Sequence, residues 1–199
     1  TSIQQEQIEA KVGNQEFTEV MKSVPSVYTT RTGGGYGDGR INVRGFDQRN
    51  TAVMINGIPV NDMENGWVYW SNWAGLTDVT RTIQVQRGLG ASRLAINSVG
   101  GTINVITKTT DAEQGGSYSY TLGNNGFAKH SLSLSSGKLK NVWAASFQGT
   151  RTTGNSYVDA SYIDAWSYFG SIAKEAGKNH MFVFTAIGAT QRHGQRSFM

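Results

Sequence analysis

The residues best suited to chemistry in this chain are a glycine-rich loop, three histidines, a carboxylate pair and a knot of aromatic rings. The loop GGGYGDGR (33–40) looks like a phosphate loop. A P-loop needs Lys and then Ser or Thr after its second glycine, and here Gly34-x4-Gly39 runs into Arg40-Ile41. The dinucleotide spacing G-x-G-x-x-G also fails in every register of this stretch, which leaves a glycine loop without a phosphate signature. His130, His180 and His193 lie far apart with no carboxylate at metal-ligand spacing, so they read as polar residues of strands. Asp62 and Glu64 sit on a glycine-flanked loop and read as solvated. No nucleophile stands beside a base. The expectation is a chain that is not an enzyme, with no catalytic residue, no metal site and no cofactor.

The aromatic knot is different. NDMENGWVYWSNWAGL (61–76) holds Trp67, Tyr69, Trp70 and Trp73 among Asn, Asp and Gly. Such a cluster is either a piece of core or a face built to touch something, and its setting decides which.

The setting changes near residue 110. Before it, short apolar runs alternate with Gly- and Asn-rich turns. QEFTEVMKSVP (15–25) carries Phe17, Val20, Met21 and Val24 at helical spacing and is closed by Pro25. INVRGF (41–46), TAVMINGIPV (51–60), TIQVQRG (82–88) and GTINVITKT (101–109) read as short strands, and Asn56-Gly57 between apolar runs is a hairpin signal. A small α+β domain follows. From Gly115 the period becomes two. Tyr118, Tyr120 and Leu122 share one face, as do Leu132 and Leu134, and then Trp143, Ala145 and Phe147. Ser, Thr and Gln occupy the other face, and further strands follow at about 166–174 and 180–190. GNNG (123–126) and SGKLKN (136–141) read as the turns between strands.

Composition bounds the choices. Among 199 residues there are 25 glycines, 2 prolines and no cysteine, so there is neither a disulfide framework nor a thiolate metal site. Only 16% are charged, below the roughly 25% of an ordinary soluble domain. A net charge of +4 with scattered basic residues does not make a nucleic-acid patch. No run of apolar residues is long enough for a membrane helix, and Thr1 does not open a signal peptide. Apolar-out, polar-in alternation fits a membrane β-barrel wall around a wet interior, and it equally fits a soluble sheet with one solvated face. Five strands fall short of the smallest bacterial barrel of about eight, so a barrel reading makes this chain a fragment.

Three stretches then stand in order. VMKSVPSVYTTRTGGGYGDGRINVRGF precedes TAVMINGIPVND, and VTRTIQVQRGLGASRLAINSVGGTINVITKT follows. Over residues 15–109 this resembles the plug domain of TonB-dependent outer-membrane receptors, in which a vPGv turn, an I-x-I-R-G-F strand, a DG-x-P hairpin, an I-E-V-x-R-G strand and a GGxIN(I/V)ITK exit succeed one another. Ser26 stands where that family usually has Gly, Asn56 where it has Asp, and Gln86 where it has Leu or Val. GASRLAINSVGG also departs from the usual exit sequence. The style of the sequence is Bacteroidetes-like, without a clear SusC-like glycan-import signature.

The resemblance implies an α+β plug (1–110) followed by about the first five antiparallel transmembrane strands (111–199) of a plugged barrel of about 22 strands in the bacterial outer membrane. It implies import of a scarce nutrient (siderophore, cobalamin, glycan or peptide) energised by TonB, through a box upstream of residue 1 and not in this chain. QRSFM does not look like a terminal barrel strand. The alternative is a receptor-like subunit of a larger outer-membrane complex, with a lipoprotein partner and no transport of its own. A soluble carbohydrate-binding protein would explain the tryptophans but not the ordered motifs. Other implied partners are outer-membrane lipid and an unknown small ligand, and no nucleic acid. Arg44 and Arg87 resemble arginines that pair with glutamates of the inner barrel wall; exposed strand-end arginines are the plainer reading. The plug apices 31–39, 47–50 and 61–75 would face the external cavity. That puts Arg31, Tyr36, Gln48, Trp67, Tyr69, Trp70 and Trp73 forward as ligand-facing residues, with packing against plug or wall as the other use of the rings.

Overall fold

A computed structural model of the chain describes residues 2–4, 8, 16–31, 36–37, 39–88, 98–108, 113–139, 142–177 and 179–194. Contacts divide the chain into two units. The first is Thr1–Gly33, Gly37–Ser71 and Leu76–Thr107; the second is Gly34–Tyr36, Asn72–Gly75 and Lys108–Met199.

The first unit opens with β1 (Ser2–Gln4) and the one-turn helix α1 (Phe17–Met21). A helix this short has no stability alone. It is held by burial of Phe17, Val20 and Met21, with Val24 just beyond. The chain then stops coiling: Ser23 Oγ donates to the Val20 carbonyl, and Val24 is restricted by Pro25 after it. β2 (Val27–Arg31) and β3 (Gly39–Val43) pair antiparallel. In β3, Ile41 and Val43 point into the core. Its first residue has to be glycine, because a Cβ there would come within 2.6 Å of Thr18 Oγ1 on α1. The strand ends three residues before the sequence pattern does. Arg44 and Gly45 both take positive φ, 55° and 81°, so VRGF is a turn rather than the end of a strand.

A second sheet of this unit has the order β1–β6–β7–β4–β5. Its members are β4 (Thr51–Ile55), β5 (Ile58–Pro59), β6 (Thr80–Arg87) and β7 (Gly101–Thr107), and the short helix α2 (Leu76–Val79) leads into β6. β4 and β7 are parallel, while the other pairs are antiparallel. Asn56 and Gly57 make the hairpin at φ 51° and 80°, as the Asn-Gly pair dictates. The Asn56 amide also donates to Thr107 Oγ1 at 2.9 Å and accepts the Thr107 N–H at 2.9 Å. An aspartate here could accept but not donate, which gives a local reason for the asparagine. β1 carries no sequence signal: Ile3 is buried, but three residues are too few to show a period. Residues 89–97, most of GASRLAINSVGG, lie outside the described residues, as do 32–35 and 38 of the glycine loop.

The second unit holds an antiparallel sheet in which each strand pairs with its sequence neighbour: β8 (Gly115–Leu122), β9 (Ala128–Lys138), β10 (Trp143–Asn155), β11 (Tyr162–Ala176) and β12 (His180–His193). All five expected strands are present, most of them longer than the alternation indicates. A soluble sheet buries its apolar face. Here Phe182 and Phe184 are 67% and 70% exposed, while Gln148, Thr150 and Ser171 are 9%, 5% and 1% exposed. That inversion fits hydrocarbon outside and decides for the barrel-wall pattern over the soluble sheet. The sheltered face is less uniformly polar than expected: Ile163, Ala165, Phe169 and Ala173 are buried among the serines and threonines.

One turn is strained. Ser26 sits at φ 67°, held there while the Arg44 N–H donates to its carbonyl at 2.8 Å. A side chain in left-handed backbone costs about 1–2 kcal/mol. Ser26→Gly should therefore stabilise the chain by about 1 kcal/mol, read as a rise in denaturant midpoint with unchanged slope.

Candidate functional site

The NDMENGW stretch is a side-chain-held arm. Asn61 accepts the Val53 N–H at 2.8 Å and donates to the carbonyls of Thr51 and Gly66, each at 3.0 Å. Asp62 accepts the N–H groups of Glu64 and Asn65 at 3.0 and 2.9 Å, so it is a turn-former rather than half of a carboxylate pair. Asn65 accepts the Trp67 N–H at 2.8 Å and donates to Tyr69 Oη at 3.0 Å. Gly66, at φ 75°, lets the arm lie against the Arg49 backbone.

What the arm presents is Trp67. The guanidinium carbons of Arg40 and Arg49 each lie 5.2 Å from the centroid of its ring, within cation–π range. Arg49 Nε is 3.1 Å from Asp47 Oδ1, which also takes the Arg49 N–H at 3.0 Å. Partial burial alone would raise the Asp47 carboxyl. The Arg49 N–H, the Arg49 guanidinium and the charge of Arg40 together outweigh it and hold the group below its ordinary value of 3.8. With two guanidiniums against one carboxylate, this patch keeps a net positive charge beside an aromatic face. Arg40, Arg49 and Asp47 escaped the sequence reading. The only local signal for them is the D-x-R spacing of residues 47–49, common in any turn.

The other expected ligand-facing residues separate. Gln48 and Trp70 are a correction: they are 2% and 5% exposed, so neither faces an external cavity. Trp70 Nε1 donates to Gln48 Oε1 at 3.1 Å, and its ring stacks on Phe17 at 4.8 Å between centroids. Gln48 Nε2 donates to the Val68 carbonyl at 3.4 Å. The buried indole needs an acceptor for its N–H, and the buried amide supplies it. Arg31 pairs with Glu19 at 3.3 Å, tying β2 to α1. Tyr69 is exposed and Trp73 half-buried. Tyr36 stacks on Phe127 at 6.0 Å, both in the second unit. Arg44 and Arg87 are exposed, and Arg44 Nη1 lies 3.0 Å from where a Cβ on Gly88 would sit, so the two Arg-Gly turns are neighbours.

Residues 1–102 match the family model for the TonB-dependent Receptor Plug Domain. The chain belongs to the TonB-dependent receptors of the outer membrane. It is 31% identical over 126 residues to the ferric enterobactin receptor of Pseudomonas aeruginosa, a match covering 57% of this chain and 17% of that protein. It is 32% identical over 114 residues to the ferrienterobactin receptor of Escherichia coli, covering 52% of this chain and 15% of that one. The vitamin B12 transporter BtuB of Photobacterium profundum is 29% identical over 142 residues, or 71% of this chain and 23% of that one. The chain thus spans under a quarter of the length of these relatives. Among solved structures, the unliganded ferric citrate transporter FecA superposes with a TM-score of 0.75 at 20% identity, covering 98% of this chain and 31% of that chain. That likeness establishes the plug-and-strand fold. These relatives are proteobacterial and lend no support to a Bacteroidetes-like origin.

The depressed Asp47 carboxyl sets a pH dependence for this TonB-dependent receptor. A lowered folded-state value means its stabilisation is complete above the unfolded value near 3.8 and is lost as pH falls through the folded one. The expected outcome is that the fluorescence difference between wild type and Trp67→Phe stays constant above about pH 5 and changes below pH 3.8, and that Asp47→Asn abolishes this change.

Proposed function

We propose that the chain is the plug (1–110) and first wall strands (111–199) of a receptor that binds a scarce nutrient outside the cell and imports it with energy delivered by TonB. The observation that carries the ligand end of this reading is the Trp67 ring with Arg40 and Arg49 against it, presented on an arm fixed by Asn61, Asp62 and Asn65. A cationic, aromatic, pre-organised surface suits an anionic ligand with flat rings. Ferric catecholates have that chemistry, and two of the relatives are enterobactin receptors by name. Corrin transport, named for BtuB, is the second choice, because a corrin would use the ring but has less need of two guanidiniums. Tyr69 extends the surface. Arg44 and Arg87, exposed on neighbouring turns, are assigned to charge pairing with carboxylates of a barrel wall, where confinement makes such pairs count. No catalytic step is assigned to the chain.

The test uses the full-length receptor in cells that lack their own. Uptake of radio-iron as ferric enterobactin should require TonB. Trp67→Ala should weaken ligand binding about tenfold, the loss of one or two cation–π-strength contacts. Trp70→Phe should leave binding near wild type while lowering stability. Uptake independent of TonB, or unchanged binding by Trp67→Ala in a receptor present at normal levels in the outer membrane, would defeat the reading.

A further inference from the structure

The apolar face of the second unit's sheet is not smooth. A groove of about 600 Å³, within the range of ligand pockets, crosses it between Leu134, Phe147, Ile172 and Phe184, floored by Gly116 and Gly170. Strand register explains the shape. Gly116, Leu134, Phe147 and Gly170 are successive cross-strand partners in one row, and Ile172 pairs with Phe184 in the next. Of the two floor glycines, Gly170 has no reason within the fold: a Cβ there would meet nothing within 4 Å and its backbone does not take positive φ, whereas one on Gly116 would come within 2.9 Å of Leu134 Cδ2. Gly188 and Gly154 differ, since the Tyr168 ring and Phe127 fill the space above them. Glycine weakens a strand and commonly marks close approach by something else.

The row beyond the groove supplies a charge. Trp143 and Lys174 are direct cross-strand partners, and Lys174 Nζ lies 4.9 Å from the ring centroid. Lys174 has no ion pair among the described residues. At the other end of the same two strands Arg151 lies 5.0 Å from the Trp166 ring, but Asp164 answers its charge at 3.5 Å. The Lys174 end also bears the short connections, 139–142 and 177–179, against 123–127 and 156–161 at the far end. Short turns belong to the periplasmic side of a barrel.

We propose that this face holds one glycerophospholipid of the periplasmic leaflet, with an acyl chain in the groove over Gly170 and the headgroup phosphate at Lys174. The proposal rests on the reading of this sheet as outer-membrane wall. The cation, the interfacial tryptophan and the glycine-floored slot lie in consecutive rows, in the order that headgroup and chain require.

The test is native mass spectrometry of the full-length receptor released from outer membranes, delipidated and titrated with phosphatidylglycerol or with diacylglycerol, which lacks the phosphate. Wild type is expected to take up one phosphatidylglycerol that survives detergent exchange. Gly170→Leu, whose side chain enters open space, should lose it. Lys174→Gln should weaken it about fivefold, the worth of one lysine beside a phosphate. Equal retention by wild type and both variants, or diacylglycerol held as tightly as phosphatidylglycerol, overturns the proposal while leaving the wall reading intact. A receptor that does not fractionate with the outer membrane overturns both.

Discussion

The candidate face depends on one amide. Asn61 spends both its acceptor and its donor capacity on backbone groups of β4 and of the arm, so the strand that anchors the first unit's sheet also fixes where Trp67 stands. An aliphatic residue there would leave three backbone groups without partners, and an aspartate would lose both donated bonds. The remaining turn chemistry of Asp62, Asn65 and Gly66 refines a position that Asn61 has already set. The aromatic surface therefore behaves as part of a sheet rather than as a loop, which is what a binding surface needs if little ordering entropy is to be lost on contact.

The fold was largely readable before any coordinates, because its signals are local. Period-two alternation, the Asn56-Gly57 turn and the apolar spacing of α1 each show within ten residues or so. The site was less readable, because its pieces meet only after folding. Arg40 begins a strand, Asp47 and Arg49 form a turn, and Trp67 lies further on; nothing in their spacing announces a stack. The same limit explains Gln48 and Trp70. Both occupy apical segments by sequence, and only the three-dimensional meeting of Trp70 with Phe17 turns them inward. β1 was invisible for a different reason, being too short to carry a period at all.

The two units use polarity in opposite ways. In the first, Ile41, Val43, Val53, Ile83, Ile103 and Val105 are buried, and charge lies outside, as in a soluble domain. In the second, rings and leucines are turned outward and Thr150, Gln148 and Ser171 are sheltered. Charged residues are about as sparse in 1–110 (19 of 110) as in 111–199 (13 of 89), so composition does not separate the two regimes. The glycines divide in the same manner. Gly39 and Gly57 answer close contact or turn geometry, whereas Gly170 answers neither.

The parallel pairing of β4 with β7 has a kinetic consequence. Thr51 sits opposite Gly101, so their separation is 101 − 51 = 50 residues, and the intervening chain must close as a loop before that ladder gains anything. Every pairing in β8–β12 joins neighbours in sequence. Local ladders form quickly and distant ones slowly. The first unit is therefore the slower of the two to find its topology, and β1 on β6, where Ser2 sits opposite Gln84, is a longer closure still than β4 on β7.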